Sequence, residues 1–253
     1  MSVDGDLTAC AGLVQRGDPA RFRAVMAAPM PLRRMLFPLY AFNLEVARAP
    51  WFTKEPLIAE MRLQWWRDAL EEIAEGTTVR RHEVVTPLAA AIDATAARDL
   101  DDLIDARRAD IEGPRFADRD DLMRYLDRTA GTLLWTGARM AGAADEAAVR
   151  DAGVAQGIVA WLRAGPDLVE KGRQSLPPGD PAEVVRDLAA RGRAALQRFR
   201  ASPPPRQARP VFLVLSDTDA ELRALVRDPG APPAVNPAAS RLRLGWRVLT
   251  GRI

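Results

Sequence analysis

The chain has 253 residues, 48% of them apolar, and a formal net charge of only +2. That length is enough to bury a sizeable core, and so small a charge excess leaves no electrostatic footprint for nucleic acid. A single cysteine, Cys10, and a single histidine, His82, exclude an intrachain disulfide, a thiolate cluster and a multi-histidine metal centre. All but Lys54 and Lys171 of the 36 basic residues are arginine. With the abundance of Ala, Gly, Pro and Val, this skew fits the base composition of a gene better than a phosphate-reading surface. The opening MSVDGDLTAC has no apolar signal-peptide core, and no apolar run approaches a membrane span. The expectation is a soluble protein of a reducing, cytoplasmic compartment.

In chain order, helical periodicity predicts helices over 18–28, 31–48, 57–74, 86–110, 118–142, 145–164, 181–201, 208–227 and 238–250. Pro- and Gly-bearing breaks separate them at APMP, APW, EGTTVRRH, EGP, PPGDP, SPPPRQ and DPGAPP. None is long or polar enough for an interdomain linker, so 1–253 reads as one all-α domain. Segment 57–74 carries an apolar stripe of Leu63, Trp66, Leu70 and Ile73, with Glu60, Gln64, Arg67, Asp68 and Glu71 elsewhere. The run VFLVL (211–215) has no partner strand and reads as a buried helical turn.

Four stretches carry a resemblance: RMLFPLYAFNLEVAR (34–48), EMRLQWWRDALEEI (60–73), YLDRTAGTLLWTGARMAG (125–142), and VAQGIVAWLR with KGRQSLP (154–163 and 171–177). In this order the chain resembles the squalene/phytoene synthase family from about residue 7 onward. The EVAR and LQWWRDA wording is similar to a divergent branch that includes a mitochondrial respiratory complex I assembly factor and its bacterial relatives. The resemblance implies an isoprenoid-synthase-type helical bundle around a central cavity. Active members join two prenyl diphosphates, and Mg²⁺ held by carboxylates on two facing helices neutralises the leaving pyrophosphate. By register from Tyr40, the first ligand set falls on Ala47, Arg48 and Trp51. By register from Arg163, the second falls on Ala160, Ala164 and Leu168. None of these side chains is a carboxylate. The resemblance therefore implies a chain that keeps the fold, with Tyr40 and Arg163, and loses the metal, so no catalytic residue, metal or cofactor is expected.

Other residues offer substitutes. Glu45 is spaced to pair with Arg48, the simpler reading of both. Asp101-Asp102-Leu103-Ile104-Asp105 is a literal DDxxD, read here as a solvated face paired with Arg107 and Arg108. Arg48, Arg163 and Arg173, with Tyr40 and Glu45, are candidates for a phosphate-binding cavity mouth. The plainer reading pairs these arginines with Glu45, Asp167 and Glu170. Trp65, Trp66 and Trp161 read as core, and His82 as a loop or helix-start residue. The segment SRLRLGWRVLTGRI (240–253) has four arginines and no acid. It suits an interfacial helix facing an anionic membrane, or a last helix docked on the bundle, the preferred reading. Three functions stay open. The leading one is a non-catalytic protein acting by binding, with a respiratory-complex subunit as partner and peripheral contact with the inner membrane. The others are a Mg²⁺-dependent prenyltransferase with relocated acids and a non-catalytic carrier of a prenyl or lipid ligand.

Overall fold

A computed structural model describes residues 3–53, 55–113, 115–231, 233 and 236–252. Every regular element among them is helical. The chain divides into two compact units, Met1–Glu112 and Gly113–Ile253.

In the first unit, α1 (Val3–Gly17), α2 (Pro19–Met26) and α3 (Met30–Arg48) are followed by a 3₁₀ turn, Ala49–Trp51. Then come α4 (Pro56–Glu75), α5 (Val85–Ala89), α6 (Ala94–Arg107) and α7 (Ala109–Glu112). Helix α1 was not expected, because three glycines and two acids dilute its pattern. It is held by packing on α3, with Asp6, Cys10 and Val14 buried and Asp6 bridged to Arg81 at 2.5 Å. The expected stripe of α4 is buried at Leu63, Trp66, Leu70 and Ile73. Gly76 ends that helix at φ 67°, where the amide of Thr77 bonds back to Glu72 O at 3.1 Å. The single helix expected over 86–110 is instead three. Asp93 accepts from the Ala96 amide at 2.8 Å and so starts α6 afresh.

In the second unit, α8 (Arg119–Leu126) runs through a π-helical turn, Asp127–Gly131, into α9 (Thr132–Met140). Helix α10 (Glu146–Glu170) continues past Pro166, six residues beyond the expected end. Helix α11 (Pro181–Ala201) is followed by a 3₁₀ segment, Arg209–Leu215, then α12 (Thr218–Arg227) and α13 (Pro237–Thr250). The 3₁₀ segment is the VFLVL run, a buried helical turn as expected, with the Phe212 ring 4.8 Å from Phe199. Backbone contact is closest where α10 crosses the π turn. A Cβ on Gly153 would lie 2.7 Å from Ala130 O, and one on Gly157 2.7 Å from Ala130 Cβ. The glycines are there because nothing larger fits.

Candidate functional site

The first group of candidates lies on α3 and the turn after it. Tyr40 is fully buried under the Arg21 guanidinium, which sits 5.1 Å from the ring centroid. Burial pushes its hydroxyl up to about 12, so it stays protonated. Glu45 and Ala47 are half-buried and Arg48 is exposed. The expected Glu45–Arg48 ion pair does not form among the described residues. The Arg48 guanidinium and the Leu44 side chain instead crowd Gly17, where α1 ends against α3. Trp51 is half-buried in the 3₁₀ turn.

The second group lies on α10. Ala160 is exposed, Ala164 half-buried and Leu168 buried. Arg163 was expected to meet Asp167 or Glu170. It is bonded instead to Glu221 of α12, a side chain only 4% exposed. Burial pushes the Glu221 carboxyl up, against the pull of Arg163. Arg173 lies along Gly113, occupying the space a Cβ would need there. Arg163 is thus closed by a carboxylate from another helix, and Arg173 fills the space beside Gly113.

The acids of 101–105 do not converge. Asp101 takes a bidentate bond from Arg67 of α4 at 2.6 and 2.7 Å, while Asp105 is 3.8 Å from Arg108. Arg107, expected beside these acids, bonds the buried Asp110 at 3.1 Å. Among the described residues, no three acidic, His or Cys side chains are grouped so as to hold a metal ion. His82 is a helix-start residue, its Nδ1 accepting from the Val84 amide at 3.1 Å and its ring packed on Trp65 and Trp66. Trp66 and Trp161 are core, but Trp65 is 36% exposed beneath Arg80.

Two features were not visible in the sequence as they stand. One is an apolar cavity of about 600 Å³ in the second unit, between the end of α10, α11 and α12. The other is the orientation of α13, which reverses expectation. Leu242, Trp246 and Leu249 face outward at 74, 61 and 85% exposure. Of the four arginines expected to lack acidic neighbours, Arg243 and Arg247 are half-buried, while Arg241 and Arg252 are exposed. Arg243 bonds Asp217 at 2.7 Å beside Ser240 on the same carboxylate. Arg247 is half-buried, where burial and then the charge of Arg200 lower its pKa. Ile253 lies outside the described residues.

A family profile described as Squalene/phytoene synthase matches residues 14–180. The chain belongs to the squalene/phytoene synthase family. Its fold is that of the solved isoprenoid synthases. A dehydrosqualene synthase aligns over 98% of this chain and 97% of its own, with a TM-score of 0.79 at 13% identity. A squalene synthase from Alicyclobacillus acidocaldarius aligns over 91 and 96%, with a TM-score of 0.75 at 19% identity. Such low identities carry the fold alone. Among named relatives, a Drosophila melanogaster homologue of NADH dehydrogenase (ubiquinone) complex I assembly factor 6 is 30% identical over 177 residues. That match spans 66% of this chain and 52% of the relative. The Homo sapiens assembly factor 6 is 28% identical, over 62 and 48%. The chain thus spans about half the length of these relatives.

Proposed function

We propose that this squalene/phytoene synthase family member acts by binding rather than by catalysis, in the assembly of a respiratory complex. The observation that carries the reading is the similarity to several proteins named complex I assembly factor 6. The chemistry of the register positions supports it. Ala47, Arg48, Trp51, Ala160, Ala164 and Leu168 supply no oxygen ligand, and an arginine repels a divalent cation. These residues do not fit Mg²⁺. The engagement of Arg163 by Glu221 also leaves that guanidinium already neutralised for a phosphate. The test is a melting curve with Mg²⁺ and farnesyl or geranylgeranyl diphosphate, alone and together. Anything that binds the folded state raises its melting temperature. No Mg²⁺-dependent shift and no released pyrophosphate are expected, and either would restore the enzyme. Retention of respiratory-complex subunits on the tagged protein tests the assembly role.

A peripheral membrane contact belongs to the same reading, carried by the outward face of α13. No described helix is long and apolar enough to cross a bilayer. Helix α13 has no acid, presents Leu242, Trp246 and Leu249, and is flanked by the exposed Arg241 and Arg252. An apolar face with an interfacial tryptophan and basic flanks suits an anionic lipid surface.

A further inference from the structure

Helix α10 has two working faces. Ala160 and Ala164, four apart, share one. Leu162, Pro166 and Val169 share the opposite one, and they form a wall of the 600 Å³ cavity. Leu176, Val185 of α11 and Leu225 of α12 complete it. A volume of about 300–1,000 Å³ with an apolar lining is usual for small-molecule sites. Val169 is 61% exposed on this wall, an unusually open apolar side chain.

Charge narrows the occupant. Among the described lining residues the polar side chains are Glu170 and Ser175, and none is basic. The cavity abuts the last turn of α10, the negative end of the helix dipole, where the amides of Lys171, Gly172 and Arg173 bond back to Asp167, Val169 and Leu168 O. Arg173, in the loop that carries Ser175, is directed to Gly113. The loop itself is pinned, since the Trp161 indole donates to Ser175 O at 2.6 Å. A diphosphate or carboxylate would meet Glu170 with no basic side chain among the described lining residues. A hydroxyl could donate to Glu170 or Ser175 while its chain lies on the apolar wall.

We infer that the second unit holds a binding site for a single hydrocarbon chain, prenyl or alkyl, with an uncharged hydroxyl head, on the face of α10 turned away from Ala160 and Ala164. The site is independent of the assembly reading. The purified chain is titrated with the neutral fluorophore N-phenyl-1-naphthylamine, and the bound probe is displaced with farnesol, dodecanol, laurate or farnesyl diphosphate. Saturable binding is expected, with displacement by farnesol and dodecanol at concentrations at least about tenfold below those of the two anions. Farnesol against dodecanol separates a prenyl from an alkyl preference. Val169→Glu, at an exposed helical position that tolerates the change, should weaken binding by about tenfold or more with an unchanged circular dichroism melt. Gly165→Leu, filling the cavity from α10, should do the same. Absence of saturable binding, equal displacement by farnesyl diphosphate, or undiminished binding by Val169→Glu would overturn the assignment.

Discussion

Arg163 and Glu221 form the pair on which the second unit's polar interior turns. Glu221 is 4% exposed at its side chain and Arg163 49%, so the carboxylate bears most of the desolvation. Removing the guanidinium leaves a buried acceptor charge without its partner. Arg163→Ala should cost about 1–3 kcal/mol at neutral pH in urea unfolding. The pH dependence has a definite sign. The Glu221 pKa is raised in the folded state, so protonation favours folding, and its contribution is lost as pH rises through that raised value. The Arg163→Ala deficit should therefore shrink as pH falls through the carboxylate range. A deficit of equal size at pH 4.5 and 7 would show that the lost packing, not the charge, sets the cost. Glu221 is 58 positions from Arg163, and the sequence offered nearer acids at 167 and 170. Long-range pairing of this kind depends on which helices pack, which spacing along one helix does not reveal.

At the scale of elements, the crossing of α10 over the π turn sets the tightest constraint. Gly153→Ala should improve intrinsic helix propensity yet destabilise, because its methyl would meet backbone that cannot swing aside. A loss of about 1–3 kcal/mol in urea unfolding is expected. A gain would mean the two backbones stand further apart. Helices with a clean apolar stripe, such as α4 and α11, were legible along their whole length. Those that depend on neighbours were not, as α1 and the split at Asp93 show. The π turn lies inside YLDRTAG, where Thr129 Oγ1 bonds Tyr125 O at 2.7 Å, and its wider loop leaves no periodic trace. For the candidate site, the sequence located α3 and α10 and the side chains they carry. It did not foresee the cavity on the other face of α10, since a groove is made by what three elements fail to fill.

At the scale of the whole molecule, the last segment, for which docking on the bundle was the preferred reading, turns its apolar stripe outward. Arg243 is committed to Asp217, so membrane attachment through all four arginines of the segment does not follow. Contact should be led by Trp246 and Leu249, with Arg241 and Arg252 adding about 1 kcal/mol each near an anionic surface. Co-sedimentation with phosphatidylserine vesicles should fall strongly for Trp246→Ala combined with Leu249→Asp. Wild type that stays in the supernatant at low salt would remove the membrane contact. Pelleting by a dimer partner instead would appear as vesicle-independent self-association.

The reversed seating of α13 means that its two faces answer salt in opposite directions. The inner face is latched by Arg243, Asp217 and Ser240, and ion pairs that are a fifth to a third exposed weaken as counterions accumulate. The outer face is apolar and is driven toward other apolar surfaces by salting-out ions. Ionic strength therefore does not tune one affinity for this helix. Salt loosens the short electrostatic tether of Arg243 and Ser240 to Asp217 while it favours adhesion of the outer face.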